Sequence, residues 1–145
     1  MSRGKDFKSA LEQERPLQIP GAINAYAALM AEQVGFRALY LSGGGVANAS
    51  YGLPDLGMTS MNDVLEDVKR ITAVTNLPLL VDIDTGWGGA FNIARTIKEL
   101  MFMMFFDRVS FSPLFYVYCV SIGEVFIIIS SKLTICICTK QHQQI

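Results

Sequence analysis

The chain has a single histidine, His142, three residues from its end, and no cysteine anywhere in its first hundred residues. One terminal histidine leaves no basis for a histidine-based catalytic triad or a His-rich metal cluster. Charge of one sign is also lacking: 12 basic and 13 acidic side chains give a net charge of -1, with no basic run and no acidic tail. That balance carries no electrostatic footprint of a nucleic-acid partner. The first residues, Met1 to Lys8, lack the apolar stretch of a signal peptide and are too acidic nearby for a transit peptide. The expectation is a soluble protein of a reducing compartment: the cytoplasm, or the mitochondrial matrix in a eukaryote.

Glycine and charge are unevenly spread. Residues 1–100 hold 11 of the 12 glycines and 11 of the 13 acidic residues, whereas residues 101–145 hold all three cysteines, eight of the fifteen aromatics and five formal charges. One domain seldom changes character so abruptly. We therefore expect two unlike pieces, 1–100 and 101–145, the second a hydrophobic tail unrelated to the first and read from a shifted frame or unspliced message. Within the tail, Leu114 to Ser130 is about long enough for a membrane span, but Glu124 near its middle, Gly123 beside it and thin flanking positive charge argue against an anchor. Cys136-Ile-Cys138 is C-x-C with no partner pair, so the sequence shows no zinc or redox motif.

The first hundred residues alternate in period. Phe7, Ala10 and Leu11 share a helical face ahead of Pro16, and Leu17 to Gly21 reads as a short strand. Ala22 to Val34 is an alanine-rich helix with Ala25, Ala28 and Leu29 on one side and Gly35 as its C-terminal stop. Phe36 to Leu41 is a compact apolar run, the signature of a buried parallel strand. Residues 46–58 read as a loop. Ser60 to Asp63 has the form of a capping box; Val64, Leu65, Val68 and Ile71 form the buried stripe that follows, with Glu66, Lys69 and Arg70 toward water. Leu79 to Asp84 is a second buried strand, Thr85 to Gly89 a loop, and Ala90, Ile93, Ala94, Ile97 and Leu100 line the last helix. This order, helix then three βα units, predicts an α/β fold: a doubly wound sheet or part of a (β/α)₈ TIM barrel, which needs ~250 residues to close.

In either architecture, function collects at the carboxyl ends of the strands. Ser42-Gly43-Gly44-Gly45 follows one such end, where bare backbone can hold a carboxylate or phosphate, or can simply turn. Neither a Walker loop nor a dinucleotide fingerprint is present. Asp82 and Asp84, spaced by two in an extended segment, would face one side and suit a Mg²⁺ ion; the alternative is one helix cap and one solvated acid. Asp55, after Pro54, is a third carboxylate or a turn former.

Taken together, Tyr40-Leu-Ser-Gly-Gly-Gly-Val-Ala, Gly52-Leu-Pro-Asp-Leu-Gly and Leu79-Leu-Val-Asp-Ile-Asp-Thr-Gly-Trp-Gly resemble the isocitrate lyase and phosphoenolpyruvate mutase superfamily. Pro16-Leu-Gln-Ile-Pro-Gly-Ala-Ile-Asn-Ala and Asp63-Val-Leu-Glu-Asp-Val-Lys-Arg-Ile-Thr are most similar to its methylisocitrate lyase branch. The resemblance spans about residues 5 to 100. It implies a (β/α)₈ barrel, of which this chain holds the first three βα units, homotetrameric in full-length members. It also implies Mg²⁺- or Mn²⁺-dependent cleavage of a 2-hydroxy tricarboxylate, 2-methylisocitrate, to pyruvate and succinate in propionate breakdown. On that resemblance Asp82 and Asp84 bind the metal, and Tyr40, Ser42, Gly43, Gly44 and Asp55 line the substrate pocket. The family's general acid, a cysteine in a Lys-Arg-Cys-Gly-His loop after the fourth strand, has no counterpart, and Cys119 lacks the basic neighbours the role needs. The expectation is a lyase by ancestry, inactive as written. The alternatives are a sibling reaction (phosphonomutase, oxaloacetate or dimethylmalate lyase) or a non-catalytic, membrane-attached product.

Overall fold

Four apolar residues at helical spacing organise the centre of the molecule. Val64, Leu65, Val68 and Ile71 are buried along helix α4 (Met61–Val74), while Glu66, Lys69 and Arg70 stay exposed, as the stripe requires. Burying each such side chain contributes roughly 1.5–3 kcal/mol. In the computed structural model, residues 3–105, 124–129 and 133–138 are described, with side chains over residues 6–100. The other described elements are α1 (Arg3–Gln13), α2 (Ala25–Val34), β1 (Leu39–Leu41), α3 (Gly43–Tyr51), β2 (Leu79–Asp82), α5 (Ala90–Phe105), β3 (Glu124–Ile129) and β4 (Leu133–Cys138).

Strands β1 and β2 run parallel, with Leu39 opposite Leu79 and Leu41 opposite Val81. Their two faces differ. Leu39, Leu41, Leu79, Val81 and Ile83 are buried, and the core lies between them and helices α2 and α4, with Leu100 of α5 joining it. Tyr40, Leu80 and Asp82 alternate onto the other face and are half-buried. Helix α4 packs between α2 and α5. This is an α/β arrangement in which a parallel sheet turns one face to a row of helices. Two segments beyond residue 100 extend the sheet: β4 pairs parallel with β2 and β3 pairs antiparallel with β4, giving the order β1-β2-β4-β3.

Several expectations need correction. The strand expected at 17–21 reduces to one bridge, Gly21 with Tyr40, closed by Tyr40 N–H to Pro20 O and Ala22 N–H to Tyr40 O. Pro20 has no N–H, so it cannot lengthen a ladder. Two of the three expected strands therefore form within the first hundred residues. The loop expected at 46–58 begins instead as helix α3, which runs from Gly43 to Tyr51 and stops at Gly52, φ 64°. The loop reading rests on Gly52, Pro54-Asp55 and Gly57, all of which follow the helix; burial of Val46 and Ala47 offsets the ~1 kcal/mol per residue that the glycines of its first turn cost against alanine. In α5 the inward side is Ile93, Thr96, Ile97 and Leu100, whereas Ala90 and Ala94 are exposed. Leu11 and Leu29 also lie outward. Helix α2 starts at Ala25 rather than at the expected Ala22, because Asn24 caps it through Ala27 N–H; its end matches, with Gly35 at φ 100°.

Cys119 lies outside the described residues, as does most of the apolar stretch weighed as a membrane span. Among the described residues no helix is long and apolar enough to cross a membrane.

Candidate functional site

The carboxyl ends of β1 and β2 lead directly into the two motifs singled out from the sequence. Ser42 follows β1 and caps α3, its Oγ accepting from Gly45 N–H at 3.3 Å. Its three successors carry no side chain, and two of them need none. A Cβ on Gly43 would stand 3.3 Å from Asp84 Oδ2 and 3.9 Å from Asp82 Oδ2. A Cβ on Gly44 would stand 2.7 Å from Asp55 Oδ2 and 2.9 Å from its Cγ, inside any real contact distance. Three carboxylates from two separate segments thus gather around the first turn of one helix because that turn is bare. The partial positive charge of a helix N-terminus moderates their mutual repulsion.

Asp82 is held from two sides. Tyr40 Oη donates to its Oδ2 at 3.1 Å, and Asp84 N–H donates to its Oδ1 at 3.0 Å. The second bond corrects the expected geometry. The strand ends at Asp82, and Asp84 adopts φ 47°, so the two aspartates are not alternate residues of an extended segment. A left-handed residue costs roughly 1–2 kcal/mol, less for aspartate than for most, and Trp87 at φ 58° bears a similar cost. The loop is fastened in compensation. Gly86 N–H donates to Ile83 O at 2.7 Å, buried Thr96 Oγ1 donates to Gly86 O at 3.2 Å, and Trp87 Nε1 donates to Thr59 O at 3.1 Å. Gly86, at φ 77°, lies so close to Ile93 that a Cβ would meet its Cγ1 at 2.6 Å.

The far end of α3 is anchored to α4. Ser50 Oγ donates to Asp67 Oδ2 at 2.5 Å, and Asp67, almost fully buried, also accepts from Arg70 at 3.0 Å. Asp63 accepts from Ser60 N–H and Oγ at 2.7 and 2.8 Å, closing the capping box. The Ser60 N–H bond holds the Asp63 carboxyl below its ordinary value, followed by the Ser60 hydroxyl. Tyr51 is hydrogen-bonded to the same carboxylate, and that bond first of all raises the Tyr51 phenol.

The structure therefore brings Tyr40, Ser42, Gly43, Gly44, Asp55, Asp82 and Asp84 to one end of the sheet. Among the described residues, no group of three or more His, Cys, Asp or Glu side chains is arranged to hold a metal ion by itself. Asp82 and Asp84, beside Gly43, are two carboxylates that could hold a hard cation, which takes its remaining ligands from other oxygens. Sequence reasoning missed the supports: Thr96, Asp67 with Ser50, and the Trp87 bond. Only Trp87, the one tryptophan, set in a glycine-rich loop, left a signal.

The acidic cluster lies beyond the carboxyl ends of the parallel strands, the position at which open α/β sheets commonly bind ligands. A family model described as phosphoenolpyruvate phosphomutase matches residues 7–104, and the chain belongs to that family. It is 78% identical over 98 residues to a 2-methylisocitrate lyase of Shewanella oneidensis, covering 68% of this chain and 34% of that protein. To a 2-methylisocitrate lyase of Escherichia coli it is 58% identical over 101 residues, covering 69% and 34%. The chain thus spans about a third of the length of these relatives. Among solved structures, oxaloacetate acetylhydrolase matches with a TM-score of 0.64 at 29% identity, covering 71% of this chain and 37% of that one. A phosphonopyruvate hydrolase in complex with oxalate and Mg²⁺ matches with a TM-score of 0.61 at 31% identity, covering 71% and 36%.

Proposed function

We propose that residues 5–100 are the metal- and substrate-binding part of a 2-methylisocitrate lyase, the opening βα units of a (β/α)₈ barrel. The observation that carries this reading is the bare first turn of α3, ringed by Asp55, Asp82 and Asp84. Identity to relatives of that name, far higher than to the solved sibling enzymes, supports the substrate class.

On this reading Asp82 and Asp84 hold Mg²⁺ or Mn²⁺. The site fits a hard cation, because a side chain at Gly43 would occupy the space between helix and carboxylates. When bound, the cation stabilises negative charge that develops on the substrate's oxygens during carbon–carbon cleavage. Tyr40 and the Asp84 N–H fix the orientation of Asp82. Ser42, Gly43 and Gly44 offer a helix N-terminus to a substrate carboxylate, where backbone and dipole favour an anion. Asp55, whose carboxylate fills the space a Cβ on Gly44 would need, closes the pocket from the loop side. The departing succinate carbanion still needs a proton, and the cysteine loop that supplies it in the family is absent from the sequence. On this reading residues 5–100 contribute binding, and they do not contribute that proton. The family match ends at residue 104, close to the shift in composition, which supports a different origin for residues 101–145; the nucleotide sequence past codon 100 tests it.

The activity test is a chimaera in which residues 5–100 replace the matching segment of the Shewanella relative. It should release pyruvate from 2-methylisocitrate only with a divalent cation, and Asp82→Ala should lower kcat/KM on the order of a hundredfold or more. Preferential cleavage of 2,3-dimethylmalate or oxaloacetate would move the chain to a sibling reaction. Near-normal turnover after Asp82→Ala would remove Asp82 from the metal.

A further inference from the structure

Two threonines inside helices use their hydroxyls differently. Thr72 of α4 returns its proton to its own helix, donating to Val68 O at 2.8 Å, the ordinary habit of a helical threonine. Thr96 of α5 reaches out of its helix and donates to Gly86 O at 3.2 Å, ten residues back in the loop that follows β2. Met61 Sδ lies 3.3 Å from the same hydroxyl. A hydroxyl has one proton and a thioether is a weak acceptor, so the proton belongs to Gly86 O. Thr96 is 1% exposed and Gly86 is buried too, which leaves little water to replace that bond. The loop held in this way carries Asp84 at φ 47°. A left-handed aspartate persists where its surroundings over-determine it. Gly86 is tied on both sides, back to Ile83 O through its N–H at 2.7 Å and out to α5 through its carbonyl.

We infer that Thr96 is a positioning residue for the metal site: through Gly86 it holds Asp84 beside Asp82 and Gly43 before any cation arrives. The inference rests on the reading of Asp82 and Asp84 as the metal ligands. A cation binds the fraction of molecules whose loop is already in place, and its apparent dissociation constant rises as that fraction falls. The Thr96 hydroxyl bonds the loop backbone rather than either carboxylate, so it acts on that fraction. Thr96→Val keeps the shape of the side chain and removes the proton, leaving the Gly86 carbonyl without this donor. Thr96→Ser keeps the proton.

Mn²⁺ titration of the full-length chain tests this, read as quenching of Trp87, the single tryptophan, three residues past Asp84. Thr96→Val should weaken Mn²⁺ binding about tenfold or more, whereas Thr96→Ser and the control Thr72→Val should stay within about twofold of the original chain. Unchanged affinity in Thr96→Val, or a comparable loss in Thr96→Ser or Thr72→Val, would each overturn the inference. Hydrogen exchange at the Gly86 amide, followed by NMR, needs no variant. It should be slow in the metal-free original chain and change little when Mg²⁺ is added, because the loop is already in place. An amide left unprotected until Mg²⁺ binds would mean that the cation orders the loop, and would overturn the inference even if Thr96→Val failed to fold. Mn²⁺ binding that is absent, or indifferent to Asp82→Asn, would remove the metal reading and this inference together. Binding that needs Asp82 but not Thr96 would remove this inference alone.

Discussion

Helices α3 and α4 begin alike and end up with different work. Each starts at a serine cap, Ser42 or Ser60, and each cap lies in extended backbone. At α4 the third helical residue is Asp63, and its carboxylate folds back onto the serine, so the helix supplies its own anion. At α3 the third helical residue is Gly45, and the positions before it are glycines too. There the acids come from outside the helix: Asp55 from the following loop, Asp82 and Asp84 from the end of the next strand. The same start signal therefore serves stability when its negative charge is internal. It becomes a bare turn ringed by acids when side chains are removed and carboxylates converge on it.

The largest expected effect separates the two ends by metal. In a Mn²⁺ titration, Asp82→Asn should weaken binding on the order of a hundredfold, about 2.7 kcal/mol, while Asp63→Asn should leave it unchanged. Equal losses would erase the distinction. Next, the glycines of α3 should not be equivalent. Gly44→Ala collides with Asp55 and should cost about 1–3 kcal/mol in thermal unfolding together with Mn²⁺ affinity. At Gly45 the nearest atom is Ile23 Cγ2 at 3.3 Å, so Gly45→Ala should be near neutral, the gain of up to ~1 kcal/mol in helix propensity offsetting a small shift of Ile23. Third, Ser60→Ala should cost about 1 kcal/mol of stability with no change in Mn²⁺ affinity.

The smallest effect is one of pH. Asp63 lies below its ordinary value of 3.8 in the folded chain, so its contribution is present above the unfolded value and disappears as pH falls through the folded one. The Tm difference between the original chain and Asp63→Asn should therefore shrink on acidification below about pH 4. A difference that grew in acid would mean that Asp63 is not stabilised as a carboxylate.

Much of this was legible in the linear chain. The α4 stripe, its capping box, the Gly35 stop and both buried strands follow from periodicity and local chemistry, which neighbours in sequence suffice to satisfy. That Tyr40, Ser42, Gly43, Gly44, Asp55, Asp82 and Asp84 stand at one end of the sheet was legible as well, through motifs in register with a family. The geometry of that cluster was not. Helix α3 was hidden because Gly52, Pro54-Asp55 and Gly57 mark a loop, and only Ser42, buried Val46 and Ala47, and the Ser50–Asp67 and Tyr51–Asp63 ties reverse that over Gly43–Tyr51. Asp84 was expected to be extended, yet Gly86 turns the chain and Thr96 holds the turn.

By itself, then, the sequence determined which residues stand at the strand ends: Asp82 and Asp84 as acids, and Ser42 to Gly44 as a serine cap followed by bare backbone. Tertiary structure alone decided that Asp55 reaches Gly44 and that Tyr40 steadies Asp82. The reason is one of range. Capping and periodicity act over a few residues, whereas these pairings join segments far apart in the chain, and only packing of the helices on the sheet brings them within reach.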